Sequence, residues 1–398
     1  MIPPRVFVLD DDPFALKLLA RQLAGLGVPQ VETFPTGEAA LSALEQDRAA
    51  DLVLADLNMP GMDGVEFLRH LGERGYTGSL ALVSGEDVRI LETAERLAGA
   101  HGLRVLGHLT KPVALQALEE LLERWKSRAL PRPVQRKKTY GTQEVRRAIE
   151  LGELLNYYQP KVELATGALR GVEALVRWLH PEDGLVFPEQ FIGVAEEHGL
   201  IDALTRVVLS QALSQAQRWR AEGLTPRIAV NVSMENLRRL DFADFVASEV
   251  ERHGLMPSDL ILEVTESRLM QDAPNALDVL TRLRLKRFSL SIDDFGTGHS
   301  SLVQLRNIPF DELKIDQGFV HGAGQDNTRG AIFEASLNIA RQLGMTSVAE
   351  GVEDAADWAY LLAAGCDLAQ GYFIARPMPG HALPAWQADW QGRHVTLV

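Results

Sequence analysis

The stretch FSLSIDDFGTGHSS, residues 288–301, sets an apolar run against two adjacent carboxylates and a glycine-rich segment. Residues 288–292 alternate and branch as a buried strand does. Two charges at the mouth of such a strand need a neutralising partner, and a divalent cation is the natural one. Gly296, Thr297 and Gly298 then read as a mobile loop over a metal site. Taken alone, an Asp-Asp pair after a strand reads equally well as a helix cap and a solvated turn. The ends of the other strands separate the two readings.

Working outward, the carboxyl-terminal part of the chain offers eight strand candidates at 157–164, 169–178, 227–232, 260–264, 288–292, 312–315, 347–349 and 367–373. Helical intervals separate them, which points to an α/β barrel with active-site residues gathered at the carboxyl ends of the strands. Those ends supply Glu173 in VEALVRW, Asn231 in VNVS, Glu263 in LEVTES, Asp293, Asp294, Lys314 in LKID, Glu350 in AEGVE and Gln370 in AQGY. An oxygen-rich donor set without histidine favours magnesium or manganese over zinc. Such a cluster suits two-metal hydrolysis of a phosphodiester. One glutamate at a strand end would be an ordinary salt-bridge partner; eight polar positions on seven successive strands are not.

The first 126 residues form a separate strand and helix alternation. Strands are predicted at 6–9, 51–55, 80–83 and 104–109, with a helical period through Phe14, Leu18, Leu19, Leu23 and Leu26. The pattern implies a doubly wound parallel sheet with right-handed crossovers. Asp10 and Asp11 follow the strand at 6–9, Asp56 that at 51–55, Ser84 that at 80–83 and Lys111 that at 104–109, and in this sheet such ends converge on one crevice. Three carboxylates there can hold magnesium, a hydroxyl and an ammonium can contact a phosphoryl group, and one Asp can accept it. Residues 127–142 read as a basic linker: 127–139 is SRALPRPVQRKKT, with two prolines, five basic residues and no apolar period. A barrel domain is expected over 143–398, opened by a helix carrying Val145 and Ile149.

Composition agrees with two domains in 398 residues. A formal net charge of -14 argues against a nucleic-acid or membrane-surface partner. The single cysteine, Cys366, excludes an internal disulfide and reads as a packed residue of a reducing compartment. With no leader pattern after Met1 and no apolar run of membrane-spanning length, the expected location is cytoplasmic.

Two resemblances follow from these motifs. LDDDP, DLNMPGMDG, VSG and TKP, within 4–125, resemble a response-regulator receiver domain of flavodoxin-like fold. That resemblance implies Asp56 as phosphoacceptor, Asp11 with Asp10 and the main-chain carbonyl of Asn58 as ligands of one magnesium, and Ser84 and Lys111 as the groups that respond to the phosphoryl. His108 departs from the pattern, standing where receivers often carry an aromatic switch residue. YQP, EALVR, NVS, EVTES, DDFGTG, LKID, AEGVE and QGYFIARP, over 143–385, resemble the EAL-domain cyclic di-GMP phosphodiesterases. This family has an atypical TIM-like α/β barrel with an antiparallel first strand, and opens cyclic di-GMP to linear pGpG.

The second resemblance implies two Mg2+ or Mn2+ ions held by Glu173, Asn231, Glu263, Asp293 and Asp294, with Asp293 bridging. It makes Glu350 the base or the carboxylate that orients water, and Lys314 the group that polarises it. Gln159, Arg177, Asp316 and Gln370 would face substrate, and Glu266 would anchor the loop over 295–301. His299, in that loop, reads as a solvated histidine. Receiver followed by EAL domain implies a response regulator phosphorylated by a sensor histidine kinase or a phosphotransfer protein, and a homo-oligomer built through the barrels, with no DNA or membrane partner. Two other classes remain open: a non-catalytic cyclic di-GMP receptor or adaptor, and a phosphoryl-receiving scaffold. Degenerate binding relatives lose metal ligands or the lysine, and here every one is present.

Overall fold

The structure is a computed structural model that describes residues 5–45, 50–129, 138, 140–265, 273–297, 305 and 308–394. It divides into two compact units, Met1–Arg136 and Lys137–Val398. Among the described residues no helix is long and apolar enough to cross a membrane.

The first unit is a five-stranded sheet of β1 (Arg5–Leu9), β2 (Gln30–Phe34), β3 (Leu52–Asp56), β4 (Ser79–Ser84) and β5 (Arg104–Thr110). The order is β2-β1-β3-β4-β5 and every pairing is parallel. Alternation divides each strand between two cores. Val6, Val8, Leu52, Leu54, Ala81 and Val83 pack with the helices Pro13–Gly25 and Leu115–Ala129, whereas Phe7, Leu9, Val53, Ala55, Leu80 and Leu82 pack on the opposite side. The helix Pro13–Gly25 starts where it does because Asp12 caps it, accepting from Phe14 N–H at 2.8 Å, and proline occupies its first turn. The strand reading did not name β2. QVETF is an edge strand paired only to β1, none of whose residues is fully buried, so its apolar signal is weak.

The second unit is an eight-stranded closed barrel of β6 (Leu154–Glu163), β7 (Leu169–His180), β9 (Arg227–Asn231), β10 (Leu260–Thr265), β11 (Ser289–Phe295), β12 (Glu312–Ile315), β13 (Thr346–Ala349) and β14 (Leu368–Ala369). Two short strands, β8 (Gly184–Val186) and β15 (Met378–Pro379), extend β7 and β6 outside the closed ring. β6 runs antiparallel to both neighbours, β7 and β14, and the remaining barrel pairings are parallel. This is the atypical barrel expected from the resemblance.

Alternation along β12 puts Leu313 and Ile315 into the apolar core and leaves Glu312 and Lys314 on the other face, both buried. Glu312 accepts from Lys161 Nζ at 2.5 Å and from Ser291 Oγ at 3.1 Å. The strand predicted at 367–373 is cut to two residues. Beyond Ala369 the backbone bonds instead to the loop after β13: Val352 N–H donates to Gln370 O at 3.1 Å and Phe373 N–H to Val352 O at 3.0 Å. A Cβ at Gly371 would lie 2.2 Å from the Val352 nitrogen, so only glycine permits this lacing.

Candidate active site and receiver pocket

Parallel strands aim their last inward side chains at one mouth, and in the barrel these side chains are charged. Lys314 Nζ lies 2.7 Å from Glu350, 3.0 Å from Asp293, 3.1 Å from Glu263 and 3.6 Å from Glu173. The ammonium is fully buried, and although burial disfavours its charge, Asp293, Glu173, Glu263 and Glu350 hold its pKa well above the ordinary lysine value. Four carboxylates face one cation, leaving negative charge in excess. Burial, with only partial relief from Lys314, pushes Glu350 up to about 8 and Glu263 well above its usual range. Asp294 rises to about 6 through burial and then repulsion from Asp293.

Glu173 behaves oppositely. Burial raises its pKa, but Lys314 and hydrogen bonds from Gln370 and Asn231 outweigh it and bring the carboxyl below its ordinary value. Asn231 Nδ2 donates to one Glu173 oxygen at 2.8 Å and Gln370 Nε2 to the other at 2.7 Å. Gln370 Nε2 also donates to Gln159 Oε1 at 3.0 Å. Gln370, expected to face substrate, and Asn231, expected as a metal ligand, are thus also the groups that orient a carboxylate, and Gln159 joins them only through Gln370.

Consecutive residues of a strand point to opposite faces, so Asp293 and Asp294 ought not to share a site. They do, because pairing with β12 shifts register between Ile292 and Phe295 and Asp294 adopts a left-handed φ of 55°. One oxygen each from Asp293, Asp294 and Glu350 then lies within 4.8 Å of the others, a spacing that can hold a cation. Glu263 Oε1 is buried with no hydrogen-bond partner among the described residues, an orphaned acceptor in the same cluster. An all-oxygen set, excess negative charge and an unpaired buried carboxylate oxygen fit hard divalent cations.

A cavity of about 260 Å³ opens beside these groups. Gln159, Glu173, Asp294, Asp316, Glu350 and Gln370 line it, so three of the four expected substrate-facing residues reach it. Arg177, the fourth, is not among its lining residues; its guanidinium packs 5.7 Å from the Tyr157 ring and 5.2 Å from the Phe187 ring. Glu353 and Tyr372 also line the cavity and were not singled out from the sequence, although AEGVE and QGYFIARP contain them. Leu175 separates it from an apolar cavity of about 290 Å³ lined by Ile192, Ile201, Leu204 and Asn231. Glu266 and His299 lie outside the described residues.

In the first unit Asp10, Asp11 and Asp56 present oxygens within 4.8 Å of one another. Lys111 Nζ lies 2.7 Å from both Asp10 and Asp56. Asp56 is 2 % exposed, and its burial raises the carboxyl pKa despite Lys111 and the Asn58 N–H, which donates at 3.2 Å. The buried Ser84 hydroxyl accepts from Glu86 N–H at 3.2 Å, and Lys111 N–H donates to Ser84 O at 2.9 Å. His108 pairs with Glu95 at 2.7 Å, half-buried. The structure therefore gathers Asp10, Asp11, Asp56, Ser84 and Lys111 at the strand ends, with Asn58 two residues beyond Asp56.

Comparison with known proteins gives the same division. Residues 6–123 match the response regulator receiver domain and residues 142–377 match the EAL domain. Cyclic di-GMP phosphodiesterase RocR of Pseudomonas aeruginosa is 34% identical over 376 residues, spanning 94% of this chain and 96% of that protein. The bifunctional diguanylate cyclase/cyclic di-GMP phosphodiesterase MucR of Pseudomonas aeruginosa is 43% identical over 61% of this chain and 36% of its own length. Among solved structures, a MucR phosphodiesterase in complex with cyclic di-GMP superposes with a TM-score of 0.58 at 43% identity, covering 61% of this chain and 98% of the other. A cyclic di-GMP-bound form of the EAL enzyme Bd1971 gives 0.58 at 29% identity, covering 61% and 66%. With the acidic strand ends, the antiparallel β6 and both domain matches in agreement, this chain belongs to the EAL-domain family and carries a response-regulator receiver domain ahead of its barrel.

Proposed function

We propose that the chain is a cyclic di-GMP phosphodiesterase whose barrel hydrolyses one phosphodiester bond to give linear pGpG, and whose receiver regulates it through phosphorylation of Asp56. The observation that carries the reading is Lys314 held by four carboxylates beside a cavity, one of them, Glu263, keeping a buried oxygen unpaired. A receptor that only binds has no need to concentrate uncompensated carboxylates around a buried lysine, because that charge costs stability. RocR and MucR, which bear the phosphodiesterase name, support the substrate assignment.

Glu173, Asn231, Glu263, Asp293 and Asp294 would hold the two magnesium or manganese ions. Such ions, when bound, neutralise phosphate charge and lower the pKa of bound water. Glu350, 2.7 Å from Lys314, is assigned the role of accepting the proton of the attacking water. The fixed charge of Lys314 stabilises negative charge developing at phosphorus. Gln159, Asp316 and Gln370 contact substrate from the cavity wall. Arg177 suits a phosphate oxygen by its planar fork and reaches it by leaving the Tyr157 and Phe187 rings. Attack breaks the bond from phosphorus to the ribose 3′ oxygen, which takes up a proton, and the phosphate stays on the 5′ oxygen.

In the receiver, Asp56 is the acceptor and Asp10, Asp11 and the Asn58 carbonyl are assigned to one magnesium ion. Ser84 and Lys111 bind the new phosphoryl oxygens, with Lys111 giving up its bridge between Asp10 and Asp56. A sensor histidine kinase or phosphotransfer protein is the proposed donor, and a barrel-mediated homo-oligomer in the cytoplasm the proposed assembly. Incubation with cyclic di-GMP and magnesium should release pGpG. Tight binding with no linear product would instead make the chain a receptor, and neither binding nor turnover would make the barrel a scaffold.

A further inference from the structure

We infer that Asp357 is a positioning residue of this active site, holding Glu353 and Asp316 together as one wall of the substrate cavity. The inference rests on the phosphodiesterase reading. Asp357 sits in the first turn of the helix Ala355–Ala364 and is 4 % exposed. Its carboxylate is not needed as that helix's cap, because Asp354 already accepts from Ala356 N–H at 2.8 Å and from Asp357 N–H at 2.9 Å. Every bond Asp357 makes through its side chain goes outside its own helix. Oδ2 accepts from Glu353 N–H at 3.0 Å and from His321 Nδ1 at 2.9 Å, and Oδ1 accepts from Gly322 N–H at 3.0 Å.

These partners belong to the two loops that shape the cavity. Glu353 lies in the loop after β13, three residues beyond Glu350, and lines the cavity with Gly351. His321 and Gly322 close the short helix Gln317–Val320, whose N-cap is Asp316, and Asp316 and Gln317 line the same wall. The loops fit without slack: Gly351 has φ 68°, and a Cβ there would meet the Gln317 Cβ at 2.3 Å. One buried carboxylate thus ties the backbone of Glu353 to the far end of the helix that starts at Asp316. His321 reinforces the tie, since its Nε2 lies 3.9 Å from the Glu353 carboxylate and its carbonyl accepts from Arg329 at 3.1 Å. His321, Asp354 and Asp357 are also close enough together to invite a metal, but the donors already occupying both Asp357 oxygens leave no reason to assign one.

The test is steady-state hydrolysis of cyclic di-GMP by the full chain carrying Asp357→Ala, Glu353→Gln or both. Asp357→Ala should raise KM about tenfold, the scale of one lost buried hydrogen-bond set, with kcat held within about threefold. Because the two residues act as one unit, the double variant should be no worse than about twofold beyond the more damaging single variant. His321→Gln, which keeps a donor, should retain more affinity than His321→Ala. If Asp357→Ala does not fold, Asp357→Asn carries the same test, keeping one oxygen acceptor. An unchanged KM with a lower melting temperature would make Asp357 merely structural, and additive effects with Glu353→Gln would separate the two; either overturns the inference. Absence of turnover by the unaltered chain would instead overturn the phosphodiesterase reading.

Discussion

Asp294 reaches the barrel mouth through a left-handed backbone that an L-residue adopts at a cost. Asparagine tolerates that conformation and alanine does not, so Asp294→Asn should leave the melting temperature nearly unchanged, whereas Asp294→Ala should cost about 1 kcal/mol. Both should weaken manganese binding by calorimetry, about 10- to 100-fold. The raised carboxyls give a second expectation. Without a cation, Glu350 at about 8 and Asp294 at about 6 hold protons that the unfolded chain, with ordinary values of 4.5 and 3.8, has released. The folded state therefore binds more protons across roughly pH 4 to 8, and its stability falls as pH rises through that window. Melting scans in chelator should show this fall, and magnesium should reverse it by displacing the protons. A flat profile in chelator would contradict it. These residues were legible because each stands at the end of an apolar strand in a distinct motif. The φ of Asp294 was not, since alternation alone puts neighbours on opposite faces, and Lys314 at the centre of four carboxylates is a fact of barrel closure rather than of any one segment.

At the scale of elements, the barrel carries a second buried charge pair, Lys161 on β6 with Glu312 on β12, each at most 3 % exposed. Removing one partner strands the other, so Lys161→Met alone should destabilise by about 3–5 kcal/mol, whereas Lys161→Met with Glu312→Leu should be far milder. Chemical denaturation of the two variants decides it, and equal losses would show the pair to be unimportant. Most strands were legible by period and branching, β9 to β13 nearly to their ends. β2 was not named because an edge strand has too little burial to write a hydrophobic pattern. The last strand was overextended because Gln370 to Phe373 look like a strand locally, yet beyond the Gln370 N–H, which still donates to Ala349 O of β13, their hydrogen bonds go to Val352 in the loop. Gly371 marks the spot, and its reason is visible only once Val352 is opposite it.

For the whole molecule, the chain joins a response regulator receiver domain to an EAL domain, and its family membership follows from both matches. Regulation through Asp56 makes a simple comparison decisive: a small phosphodonor should change the hydrolysis rate of the unaltered chain but not of Asp56→Asn. Identical responses would remove Asp56 from control. The central claim, that water attacks a phosphodiester at the Lys314 and Glu350 cluster, is tested most directly by turnover in 18O-labelled water with mass analysis of the product. The expected result is linear pGpG carrying one labelled oxygen on its 5′ phosphate, formed by the unaltered chain and lost with Glu350→Gln. Unlabelled product, or bound cyclic di-GMP that stays intact, would contradict it.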